Sequence, residues 1–260
     1  MKLNFKLLPN ESSSDSVVVI LHGLFGSLDN WLTVGKNLAK NHTVYLVDQR
    51  NHGNSPHSDE FNYPLMANDL LEFISDHRLK GIHLIGHSMG GKTAMFFGVK
   101  YAEYLASLVI VDIAPRYYPP HHQEILKGFK AVDPSTLSSR DQAVQRISTV
   151  IKHPGIQQFL LKNLQREGQD TFSWKHNLPA IERNIVNIGM EIPQNLSFLG
   201  PSLFIAGSLS NYISESDIVD IKNHFPDAET ITISGAGHWV HAEKPAEIVE
   251  TINEFINSID

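Results

Sequence analysis

The stretch Ile82-His83-Leu84-Ile85-Gly86-His87-Ser88-Met89-Gly90-Gly91 decides the fold. Ile82 to Ile85 reads as a short buried strand, Gly86 to Gly90 matches G-x-S-x-G, and Gly91 to Lys100 is compatible with a helix. Strand, sharp turn, helix is the arrangement that lifts a serine Oγ out of a sheet, with small flanking residues relieving the crowding. The pentapeptide alone is a weak signal, and its placement between strand and helix makes it specific. The plainer alternative is a glycine-rich turn whose serine only caps the helix. Against it stands a second element, His22-Gly23-Leu24-Phe25-Gly26, which follows an earlier buried strand. That loop is expected to bring the Leu24 N–H beside Ser88. With the Met89 N–H, at a helix N-terminus that favours negative charge, it would form an oxyanion hole.

Outward from this stretch, Val17 to Leu21, Thr43 to Val47, Leu108 to Val111 and Leu203 to Ala206 repeat the short, mainly apolar and β-branched pattern. Such runs belong to strands covered on both faces, so the sheet is expected to be mostly parallel. Met66, Leu70, Phe73, Ile74 and His77 fall at helical spacing, as do Ile248, Val249, Ile252, Phe255 and Ile256 after Pro245; proline suits a first helical turn. Thr230 to Ser234 alternates apolar and polar residues as a last strand. The alternation predicts a doubly wound α/β fold.

From about Pro115 to Gln194 no strand pattern is evident. Ile125, Leu126 and Phe129, then Val144, Ile147 and Ile151, then Ile156, Phe159 and Leu160 suggest short helices. An insertion of this size between two core strands reads as a cap beside the strand ends. The expected organisation is a core of residues 1–114 and 196–260 with a helical cap at 115–195.

The chain has 260 residues, 42% hydrophobic and 19% charged, which suits one large domain with a substantial core. Its net charge of −7, without basic runs, argues against a surface built for nucleic-acid phosphates. No cysteine is present, which removes disulfides, thiolate metal sites and a cysteine nucleophile, and fits a reducing compartment. Met1 to Ser16 has no continuous apolar stretch, and the five-residue run Val17 to Leu21 is far short of the roughly 20 residues of a membrane span. A soluble, cytoplasmic protein is expected; oligomeric state is not legible.

A serine hydroxyl needs a base within hydrogen-bond reach. Of 14 histidines, His238 stands out, because Gly235-Ala236-Gly237-His238-Trp239 follows the last strand and leads into the terminal helix. That is the third place in the order serine, acid, histidine. His241 is its nearest competitor, and His22 reads as a structural side chain supporting its loop.

His22-Gly23, Asp48-Gln49-Arg50-Asn51-His52-Gly53-Asn54-Ser55, Gly86 to Gly91 and Gly237-His238 together resemble the α/β-hydrolase family over nearly the whole chain. In most members the acid follows the strand after the cap, in a G-x-x-D arrangement. Here Gly207-Ser208-Leu209-Ser210 puts serine in that place, and serine cannot stabilise an imidazolium as a carboxylate does. Asp112-Ile113-Ala114-Pro115, after the strand Leu108 to Val111, resembles the same stretch in small bacterial serine esterases of the YbfF type and their mitochondrial relatives. That resemblance implies Asp112 as the acid that orients His238, with Ser210 as a fourth, hydrogen-bonding member. Asp112 as a turn cap before Pro115 is the competing reading. Glu215 and Asp217 are fallback acids, and the Asp48 to Ser55 loop is implied to be structural.

The expected chemistry is hydrolysis of a carboxylic ester or acyl thioester, a small-molecule substrate, through an acyl-serine, with no cofactor and no metal. The resemblance suggests short acyl esters and acyl-CoA. No H-E-x-x-H occurs. His121 and His122, being adjacent, are expected to point in different directions. Lys92 is read as solvated or bound to loop carbonyls. Phe129, Phe159, Phe172 and Trp174 are read as packing in the cap rather than lining an acyl pocket. The rivals are C–C bond hydrolysis or elimination on the same scaffold, and a ligand-binding receptor without turnover.

Overall fold

Apolar runs pair side by side through the molecule, mostly in parallel. The computed structural model describes residues 1–12, 14–168 and 171–259. Ser13, Gln169, Asp170 and Asp260, which belong to segments read above as N-terminal stretch, cap and core, lie outside the described residues. The strands are β1 (Phe5–Leu8), β2 (Val17–Leu21), β3 (Thr43–Val47), β4 (Ile82–His87), β5 (Leu105–Val111), β6 (Leu164–Glu167), β7 (Thr171–Trp174), β8 (Ser202–Gly207) and β9 (Ala228–Ile233). One seven-stranded sheet has the order β1-β3-β2-β4-β5-β8-β9, parallel except for β1.

Successive side chains of a strand leave opposite faces of the sheet. Val18, Ile20, Val109, Val111 and Ile205 therefore pack beneath α1 (Leu32–Leu38) and α10 (Pro245–Ile259), the latter through Ile248, Ile252 and Ile256. Val19, Leu21, Leu84, Ile110 and Phe204 pack on the other side under α2 (Tyr63–Asp76) and α3 (Met89–Lys100). Helices α4 (Gln123–Ala131), α5 (Arg140–Ser148), α6 (Pro154–Leu161) and α7 (Leu178–Arg183) lie between β5 and β8, α8 (Asp217–His224) lies between β8 and β9, and the short α9 (Val240–Glu243) precedes α10. No helix among the described residues is long and apolar enough to cross a membrane.

Two elements depart from expectation. The edge strand β1 is antiparallel and pairs Phe5 with Val47; its exposed, lysine-bearing sequence carries no buried-strand pattern. The insertion, read as strandless, contains the antiparallel hairpin of β6 and β7, with Leu164 opposite Trp174. Its first strand reads Leu-Gln-Arg-Glu, too polar and too short to show alternation.

The strand order places the site. From β2 the chain goes to β3 on one side and then to β4 on the other, so the β2–β4 boundary is a switch point. Crevices at the carboxyl ends of strands flanking such a point are where ligands bind in open α/β sheets. Leu21 of β2 pairs with Gly86 of β4, which sets the loops after these strands side by side.

Candidate active site

Ser88 stands between β4 and α3 with φ 53° and ψ −116°, a left-handed backbone that non-glycine residues rarely adopt and that costs of order 1–3 kcal/mol. Two glycines make this turn feasible. A Cβ on Gly86 would lie 2.2 Å from the Gly90 carbonyl oxygen, and one on Gly90 would lie 2.4 Å from that of Leu21. The helix can therefore start directly over the strand ends, with the Ser88 side chain raised into a cavity. The Ser88 N–H donates to the Val111 carbonyl at 3.0 Å, fixing the turn to β5.

The loop after β2 lies against this turn: a Cβ on Gly23 would be 2.8 Å from His87 Nδ1 and 3.4 Å from Ser88 Cβ. Leu24 and Met89 both border the small cavity beside Ser88, and neither N–H makes a hydrogen bond among the described residues. Neighbouring backbone is held from behind. His22 Nδ1 donates to the Gly23 carbonyl and its Nε2 accepts from the Gln49 N–H, while His52 Nε2 accepts from the Phe25 N–H. Burial keeps both imidazoles below their usual pKa, hence neutral and able to accept. Asp48 accepts from the N–H groups of Leu28 and Asn54 and from Asn4 Nδ2, so it organises loops and does not reach His238.

His238 reaches both partners. Its Nε2 lies 3.1 Å from Ser88 Oγ and its Nδ1 lies 2.7 Å from Asp112 Oδ2. Asp112, wholly buried at the end of β5 with φ 52°, accepts the Gly207 N–H on Oδ1 at 3.0 Å and the Ser210 hydroxyl on Oδ2. A carboxylate so bound is satisfied in its ionised form despite burial. Ser210 Oγ in turn accepts from the Tyr212 N–H at 3.2 Å. Of the fallback acids, Asp217 is engaged by Arg116 Nε at 2.6 Å and by Ser214, and Glu215 is exposed and directed to no histidine. His241 is buried and stacks on Trp31, with ring centroids 4.4 Å apart; burial brings its pKa to about 3.

Three contributors carry no motif. His87, the variable residue inside G-x-S-x-G, brings Nε2 within 2.8 Å of the His238 carbonyl. Burial and the nearby His241 and His238 rings keep it well below the usual histidine pKa, so it is a neutral donor that holds the His238 backbone. Tyr212 stacks on the His238 ring, centroids 3.9 Å apart and 16° from parallel, and its hydroxyl meets His121 Nε2 at 2.6 Å. Glu243 accepts the Gly237 N–H at 2.8 Å, steadying the histidine loop from α9.

Lys92 is buried, and its Nζ donates to the carbonyls of Pro115 and Arg116, 2.6 Å each, so it is bound to loop carbonyls and not solvated. Burial lowers its pKa to about 7. His121 and His122 do not diverge as expected: their rings lie 4.2 Å apart and both border the cavities at Ser88. Phe159 also lines the larger cavity, whereas Phe129 packs between Phe25 and Trp174, and Phe172 is buried in the core. Among the described residues no three histidine or carboxylate side chains come together as a metal site.

A strand-turn-helix serine, a loop histidine from after the last strand and a buried carboxylate, set at the ends of a mostly parallel sheet, define a class, and the chain belongs to it: residues 16–245 match the alpha/beta hydrolase fold family. The chain is 38% identical to Esterase YbfF of Escherichia coli (strain K12) over 99% of its own length and 100% of that protein's. It is 37% identical to sn-1-specific diacylglycerol lipase ABHD11 of Mus musculus, covering 98% of this chain and 85% of that one. Among solved structures, a marine microorganism esterase superposes with a TM-score of 0.94 at 41% identity, covering 98% of this chain and 99% of that one.

Proposed function

We propose that this chain is a serine hydrolase that cleaves carboxylic esters through an acyl-serine intermediate. Ser88 is the nucleophile, His238 the general base and then acid, and Asp112 the carboxylate that fixes the imidazole tautomer and balances its charge. The Leu24 and Met89 N–H groups are the oxyanion donors. Ser210 supports Asp112 from the position where serine replaces the usual acid. The carrying observation is the continuous contact from Ser88 Oγ through His238 to Asp112, at 3.1 and 2.7 Å.

In the first half-reaction His238 Nε2 takes the Ser88 proton as Oγ attacks the ester carbonyl, and returns it to the departing alcohol oxygen. In the second, water gives its proton to the same nitrogen and its oxygen to the acyl carbon, releasing the acid and restoring Ser88. A thioester would follow the same course. The names of the relatives, an esterase and a diacylglycerol lipase, support ester substrates. Residues 115–195 are the proposed cap over the site, and the cysteine-free composition suits the proposed cytoplasmic location. Hydrolysis of 4-nitrophenyl butyrate tests the assignment: Ser88→Ala should lower kcat by about 10³-fold or more, and an undiminished rate would refute it.

A further inference from the structure

We infer, resting on the proposed reading of Leu24 as an oxyanion donor, that Asn163 is a positioning residue for the reaction: from the insertion between β5 and β8 it clamps the turn that aims the Leu24 N–H. The turn runs from Gly23 to Gly26 and is closed by the Gly26 N–H, which donates to the Gly23 carbonyl at 3.0 Å. Its third residue, Phe25, has φ 59°, whereas Leu24 has no positive φ. A positive φ at the third place alone is type II geometry, which ordinarily takes glycine or asparagine there. A phenylalanine does not keep such a backbone by its own preference, so its surroundings must hold it.

Phe25 is held on three sides. Its N–H donates to His52 Nε2 at 3.2 Å, and its carbonyl accepts from Asn163 Nδ2 at 2.8 Å, a bond between residues 138 positions apart. Its buried ring packs on Phe129, with centroids 5.1 Å apart, and lies edge-on to His176. All of these partners except His52 come from the insertion. Asn163 is itself fixed, buried between α6 and β6, with its N–H on the Leu160 carbonyl at 3.1 Å and its carbonyl taking the Lys175 N–H at 2.9 Å. Its Nδ2 also meets the carbonyls of Leu160 and Phe159 at 3.3 and 3.4 Å. Three carbonyl oxygens around one amide call for its NH₂ and not its oxygen.

The clamp bears on the oxyanion through one peptide. The Gly23 carbonyl accepts from His22 Nδ1 at 2.8 Å and from the Gly26 N–H. In a trans peptide N–H and C=O point opposite ways, so these two donors set the direction of the Leu24 N–H. Without Asn163, Phe25 is free to leave its positive φ. A flip of the Leu24–Phe25 peptide would turn the Leu24 carbonyl onto His52 Nε2, which is an acceptor because Nδ1 of that ring donates to the Arg50 carbonyl. The turn therefore relaxes by opening, which withdraws the Gly26 N–H from Gly23 and leaves the Leu24 N–H aimed by His22 alone.

The test compares wild type with Asn163→Leu, which keeps the volume and removes the donor, and with Asn163→Ser, which serves if the first folds poorly. Each is assayed for kcat and KM with 4-nitrophenyl butyrate, with active sites counted by fluorophosphonate titration, and for the KI of trifluoroacetophenone. Ser88 Oγ adds to the carbonyl carbon of that ketone, its proton passing to His238, and the ketone oxygen becomes an oxyanion with no group to expel. Removal of an oxyanion donor costs about 10²–10³-fold in kcat, so a misaimed one should cost about 10- to 100-fold per active site. KM should stay within about threefold, and KI should rise by about the factor by which kcat falls, because the lost interaction belongs to the transition state. A merely structural role would lower the titre and the thermal midpoint while leaving kcat per active site and KI unchanged. That result, or a change confined to KM, would overturn the clamp and leave the hydrolase reading intact. No turnover of any ester by wild type, with Ser88 unlabelled by the fluorophosphonate, would overturn both.

Discussion

Ser88 and Asp112 share an uncommon positive φ, 53° and 52°, at the ends of the adjacent parallel strands β4 and β5. The strands' own bonds continue into both turns. Ser88 N–H donates to Val111 O on one side, and Asp112 N–H donates to Ile205 O on the other. Two strained residues therefore leave the sheet edge together, and His238 descends between their side chains. Strain retained at such a place is a mark of function.

Asp112→Asn keeps the size of the side chain and an acceptor for the Gly207 N–H, but removes the charge that favours the Nδ1–H tautomer of His238. We expect kcat to fall by about 10³–10⁴-fold with the thermal midpoint little changed. Activity within tenfold of wild type, measured with a nitrophenyl ester, contradicts the assignment of the acid.

Ser210→Ala should act more mildly. It withdraws one of the donors to Asp112, while the Gly207 N–H and His238 remain. A hydrogen bond to a charged group is worth roughly 1.5–3 kcal/mol, so kcat should fall about 10-fold and at most about 100-fold. A loss as large as that of Asp112→Asn would mean that Ser210 has a direct part in the reaction.

Acid should unfold the protein through its buried histidines. His176 and His241 have pKa values near 3 in the fold because burial disfavours the charged ring, against about 6.5 in the unfolded chain. Above pH 6.5 both are neutral in either state, and their burial carries no protonation cost. As pH falls below 6.5 the unfolded chain binds protons that the fold refuses, so stability decreases steadily until the folded pKa values are reached. These two rings contribute roughly 3 kcal/mol per pH unit between pH 6 and 4, and His22, His52, His87 and His122, which burial also holds below the usual histidine pKa, add to the slope with the same sign. Urea midpoints across that range measure it, and His241→Phe should lower the slope by roughly 1.4 kcal/mol per pH unit, the share of one site. A flat profile would show that these rings take up protons within the fold.

The strands of the core, the serine turn and the terminal helix were legible because each depends on local pattern. Val18 to Leu21 and Leu203 to Ala206 are apolar on both faces, and that signal survives without knowledge of neighbours. Strand β1 and the hairpin of β6 and β7 were not legible, because β1 is a four-residue exposed edge strand held by distant pairing with β3, and β6 is a four-residue, mostly polar strand too short to show alternation. At the site, Ser88 and His238 stand in motifs, and Asp112 required resemblance because its usual position holds Ser210. His87 and Tyr212 act by contact between loops distant in the chain, which no spacing encodes, and Glu243 reaches back six residues to Gly237 without any motif to mark it. The pairing of His121 with Tyr212, 91 residues apart, likewise appears only in the folded chain.

The central claim is that Ser88 carries the acyl group, and covalent trapping tests it most directly. A fluorophosphonate resembles the tetrahedral intermediate and is not readily hydrolysed from serine, so intact mass and peptide mapping report where it lands. The account predicts one adduct per chain on the peptide containing Ser88, absent in Ser88→Ala and formed far more slowly in His238→Ala. An adduct on another residue, or equal labelling of Ser88→Ala, would contradict it.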